Sequence, residues 1–73
     1  MNKEQMGKRI QKLRQSRKMS LYELSVKVEL TESYVGLMER GSRLPSLSLM
    51  VKISQIFNVS LDYLVFGKGD END

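Results

Sequence analysis

Seventy-three residues make one domain at most, and a chain this short buries only roughly 60% of its unfolded surface. With no cysteine and no histidine, neither disulfides nor the usual zinc ligand sets can brace the core, which leaves helix packing, with or without a second copy. The net charge of +3 is unevenly placed: Lys3, Lys8, Arg9, Lys12, Arg14, Arg17 and Lys18 face only Glu4 in the first twenty residues, a surplus of six, so the rest sums to −3. That asymmetry fits either a nucleic-acid-facing surface or a solvated helix face. The amino-terminal residues do not lead into an apolar stretch, so no signal peptide is expected. Apolar runs such as Leu49-Met50-Val51 and Leu64-Val65-Phe66 are far short of the roughly 20 residues a membrane span needs. A soluble, cytoplasmic protein without metal or cofactor is the expectation, in keeping with the absence of cysteine.

The first predicted helix runs from about Lys3 to Arg17. Met6, Ile10 and Leu13 recur at spacings of four and three, an apolar stripe with Arg14 and Arg17 on or beside it. Ser20-Leu21-Tyr22-Glu23 is a capping box that opens a short second helix, with Leu21, Leu24 and Val28 on its apolar side. Thr31 caps a third helix, Glu32 suits its first turn, Val35 and Met38 face inward, and Gly41 ends it in a left-handed conformation. Two short helices separated by a few residues around Glu29-Leu30 form a helix-turn-helix. After the loop from Arg40 to Pro45, Ser46 caps a fourth helix with Leu47, Met50, Ile53 and Phe57 on the buried side, and Asn58 ends it. Ser60 caps a fifth that holds Leu61, Leu64 and Val65. The domain is expected to span residues 1–66, followed by a flexible polar tail at 67–73.

Gly7-Lys8-Arg9-Ile10-Gln11-Lys12-Leu13-Arg14 and Met19-Ser20-Leu21-Tyr22-Glu23-Leu24-Ser25 are followed in register by Thr31-Glu32-Ser33-Tyr34-Val35-Gly36-Leu37-Met38-Glu39-Arg40-Gly41. Pro45-Ser46-Leu47 and Val59-Ser60-Leu61-Asp62-Tyr63-Leu64 complete the series. Together, from about Gly7 to Leu64, these stretches resemble the phage repressor and Cro type of DNA-binding domain, the lambda-repressor-like (XRE) helix-turn-helix family. The resemblance implies an all-α, compact five-helix domain that reads double-stranded DNA.

Arg14 lies four residues after Ile10, and Glu39 follows Val35 by four, so both charges lean inward. In the family such a pair forms a partly buried salt bridge; the other reading is two unrelated surface charges. The resemblance places Glu32, Ser33, Gly36 and Leu37 on the outward side of the recognition helix, at about 32–40, and Thr31 and Tyr34 against phosphates. Those residue types suit such contacts, since hydroxyls and helix-terminal amides hold phosphates, glutamate accepts from cytosine, and leucine meets the thymine methyl. Arg40 and Arg43 are the favoured phosphate-binding charges. For Lys8, Arg9 and Lys12, DNA contact and plain solvation stand about level. Tyr63, Val65 and Phe66 either complete the core or pair with a second copy in a homodimer.

Four positions depart from the family pattern. Glu29 stands where the turn usually has glycine, and Leu21 where a polar residue is common. Leu37 replaces a base-reading polar side chain. Gly36, in mid-helix at a cost of about 1 kcal/mol, either permits close approach to DNA or is simply tolerated. The leading functional reading is a stand-alone transcriptional regulator, a repressor that occludes a promoter. The alternative is a protein-interaction module on the same fold, antitoxin-like, which Gly36, Leu37, Glu29 and Glu32 favour. An enzyme is disfavoured, since no histidine, cysteine, acidic pair or glycine-rich phosphate loop exists.

Overall fold

A computed structural model describes residues 2–69. They form five helices: α1 (Lys3–Ser16), α2 (Leu21–Val28), α3 (Glu32–Glu39), α4 (Leu47–Phe57) and α5 (Leu61–Phe66). No helix among the described residues is long and apolar enough to cross a membrane.

Each helix starts on a side-chain cap. Asn2, Ser20, Thr31, Ser46 and Ser60 accept from backbone amides three residues on, at 2.9 to 3.2 Å. At α2 the box is reciprocal, since the Ser20 amide donates to Glu23 Oε1 at 3.0 Å. Asn2 is the one cap that the sequence pattern does not announce. The carboxyl ends share a device too. Lys18, Glu29, Gly41, Asn58 and Gly67 all have positive φ, between 54° and 82°. The chain thereby turns back so that later amides reach orphan carbonyls, as Met19 does to Arg14, Leu30 to Ser25, Ser42 to Leu37 and Val59 to Ser54. The expected stop at Gly41 is of this kind. The expected tail begins at this last terminator, and its residues 70–73 lie outside the described residues.

Helix α1 packs against α3 and α5, α2 against α3 and α4, and α4 against α5. The core between them holds Met6, Ile10, Leu13, Leu24, Val28, Val35, Met38, Leu49, Met50, Ile53, Phe57, Val59 and Leu64. One contact demands glycine: a Cβ on Gly7 would stand 2.5 Å from the carbonyl oxygens of Met38 and Glu39. The middle of α1 thus lies directly on the end of α3.

Two expected core positions are corrected. Leu47 is 70% exposed, because it lies roughly a quarter turn away from the Met50–Ile53–Phe57 stripe, and Leu49 fills the core instead. Leu61, in the first turn of the six-residue α5, is 37% exposed. Leu21 and Val65 are half-buried and pack against the core from its edge.

Candidate nucleic-acid interface

Glu29 ends α2 in the left-handed region (φ 60°, ψ 41°), and only Glu29, Leu30 and Thr31 separate α2 from α3. The unusual glutamate therefore keeps the turn shape that glycine adopts without strain. Thr31 holds the amide of Tyr34 at 3.1 Å, which fixes the first turn of α3.

Behind α3, Arg14 and Glu39 form the expected salt bridge in bidentate geometry. Arg14 Nε donates to Glu39 Oε2 at 2.7 Å and Nη2 donates to Oε1 at 3.1 Å. Arg14 Nη1 also donates to the Met19 carbonyl at 2.9 Å, so one guanidinium joins α1, the start of the α2 region and the end of α3. Glu39 is only 5% exposed, and its hydrogen bonds raise the Arg14 pKa above the ordinary arginine value. The bridge sets where α3 stands relative to the rest of the molecule.

On the open side, Thr31, Glu32 and Ser33 are exposed, while Tyr34 and Leu37 are half-buried. Gly36 departs from its expected outward position. It is buried, because Leu21 Cδ2 and the guanidinium of Arg40 stand 3.7 and 3.3 Å from where its Cβ would be. Arg40 and Arg43 follow the helix in sequence yet fold back beside it. The Arg43 guanidinium lies over the Tyr34 ring, 6.0 Å from its centroid, at the first turn of α3. Next to that turn, a groove of about 430 Å³ is lined by Val28, Leu30, Tyr34, Ser46, Ser48, Leu49 and Lys52. The first turn of α4 and a lysine therefore border the same surface.

The structure separates the helix-1 cations. Lys8 and Lys12 are exposed, but Arg9 is half-buried, and its Nη1 donates to the Leu64 and Val65 carbonyls at 3.1 and 3.2 Å. Arg9 is thereby committed to the end of α5, where a cation also suits the helix dipole. Arg17 works similarly, donating to the Phe57 carbonyl at 2.9 Å with its guanidinium 5.5 Å from the Phe57 ring centroid. The sequence hints at the Arg17 tie alone, through its placement on or beside the apolar stripe of α1; Arg9 is expected to point elsewhere. In α5, Tyr63 and Val65 pack half-buried against the core, which leaves Phe66, 57% exposed, as the open member of the suggested dimer patch.

The Helix-turn-helix family profile matches residues 10–64. The chain is similar to the uncharacterized HTH-type transcriptional regulator YqaE of Bacillus subtilis (strain 168), 34% identical over 62 residues that cover 85% of this chain and 53% of the relative. It is also similar to YobD of the same organism, named in the same terms, 31% identical over 65 residues covering 89% of this chain and 57% of that protein. The chain thus spans little more than half the length of these two relatives. No solved structure gives a significant match. The profile match covers most of the chain and runs from within α1 to within α5, so the protein belongs to the lambda-repressor-like helix-turn-helix family.

Proposed function

We propose that this chain binds double-stranded DNA and regulates transcription, as a homodimeric cytoplasmic repressor that inserts α3 into the major groove and occludes a promoter. One observation carries the reading: Arg43 folds back to Tyr34 in the first turn of α3 and Arg40 to Gly36 in its middle, which brings positive charge along the helix. The printed names of the two Bacillus subtilis relatives support a role in transcription. In this arrangement Thr31, Tyr34 and Arg43 hold phosphates, Glu32, Ser33 and Leu37 face base edges, and Lys52 with the start of α4 follows the neighbouring backbone. Phe66 with Leu61 offers the apolar contact for a second copy, which would set two recognition helices about 34 Å apart.

The test is binding to duplexes enriched from a random library, against an unselected duplex, across a salt series. Selective binding that weakens steeply with salt is expected, and Arg43→Ala should lower the salt slope by about one while weakening both duplexes alike. Equal weak binding to both, or none at low salt, would favour a protein-interaction module. Tyr22 and Val26, exposed four residues apart on α2, with Leu30 in the turn after it, are the observation on that side.

A further inference from the structure

The reading face of α3 is short of hydrogen-bond donors. Leu37 has none, Glu32 only accepts, and Ser33 offers a single hydroxyl. Yet residues 33, 36, 37 and 40 share one face at spacings of three and four. In a helix, side chains lean towards the amino terminus, so a long residue covers the turn before its own Cα. Arg40 does this over Gly36: its Nη1 and Nη2 stand 3.3 and 3.8 Å from the position a Cβ would take there. A Cβ at 36 would make the guanidinium give by a few tenths of an ångström, and a larger, branched side chain would compete for that seat. The Arg40 side chain is exposed and has neither hydrogen bond nor ion pair among the described residues, so its five donors are available.

We infer that Gly36 is a seat for Arg40, and that Arg40, carried one turn back to the middle of α3, reads a guanine in the major groove through its O6 and N7. This rests on the DNA-binding reading above. A guanidinium fork matches those two acceptors in bidentate fashion, whereas a lysine keeps the charge without the fork. Arg40 would then determine specificity, in place of the polar residue absent at Leu37. Gly36 is a positioning residue.

The experiment is parallel selection from a random duplex library with the wild-type chain, Arg40→Lys and Gly36→Val, with helix content checked by circular dichroism. The wild type should enrich a motif with a strongly preferred G·C pair. Arg40→Lys should lose preference at that pair by about tenfold or more and keep the preferences at the other positions. Gly36→Val should lose the same pair although Arg40 is intact. An unchanged Arg40→Lys motif, or a loss spread evenly over all positions as for a phosphate contact, would overturn the inference while leaving DNA binding standing. A wild type that enriches no motif would overturn both.

Discussion

Glu39 shows how a single side chain sets a surface it does not belong to. Its carboxylate is buried, takes two bonds from Arg14, and sits at the end of the helix proposed to read DNA. Breaking one partner of such a pair leaves a buried charge uncompensated, which typically costs about 3–5 kcal/mol. Since Arg14 keeps some solvent contact, Glu39→Ala is expected near the lower end, about 3 kcal/mol, read from urea midpoints. The double change Arg14→Met with Glu39→Leu should recover much of that, because apolar replacement of both charges removes the desolvation cost. A double variant as unstable as the single one would show that the Arg14–Met19 bond matters more than the ion pair. The pair was legible in the sequence because the family resemblance joins these two positions, and a lone charge on each apolar stripe asks for a partner. Arg9 and Arg17 were not, because their acceptors are backbone carbonyls of Leu64, Val65 and Phe57. Every helix end offers the same atoms, so no residue type announces them.

At the scale of the element, five capped starts and five left-handed stops explain why such short helices hold their ends. The reciprocal bonds between Ser20 and Glu23 lower the Glu23 pKa, chiefly through the backbone amide of Ser20. A carboxylate with a lowered folded pKa contributes stability above its unfolded value of about 4.3, and loses it as pH falls through the folded value. Thermal stability should therefore drop with acidification below about pH 4.3, and Glu23→Gln should flatten that part of the profile. An identical acid slope in the variant would remove the cap from the explanation. Glu29 invites the opposite kind of change. A non-glycine residue in the left-handed region is strained by about 1–2 kcal/mol, and glycine there gives back roughly 0.4–1 kcal/mol through the unfolded chain. Glu29→Gly should accordingly stabilise by about 0.5–1 kcal/mol in urea unfolding; a loss of stability would mean the glutamate side chain has a folded-state role. The helix-turn-helix itself was readable from Ser20, Thr31 and Gly41. The burial of Gly36 and the exposure of Leu47 were not, since a helical stripe says which residues align but not where a neighbouring helix stops covering them.

Across the whole molecule, the surplus of positive charge near the amino terminus divides into two uses. Arg9, Arg14 and Arg17 are hydrogen-bonded so as to tie α1 to the ends of α5, α3 and α4, whereas Lys8 and Lys12 are exposed. The charge that counts at the proposed interface comes instead from Arg40 and Arg43, beyond the recognition helix in sequence but beside it in space. The outer side of α2 and the end of α5 carry exposed apolar residues instead. These surfaces can be told apart in one experiment: an amide chemical-shift titration of the isotope-labelled protein with an enriched duplex. If α3 reads DNA, perturbations concentrate on residues 31–37 and 40–43, with Lys52 and the start of α4 alongside. Perturbations confined to Tyr22, Val26 and Leu30, or to α5, would contradict that role.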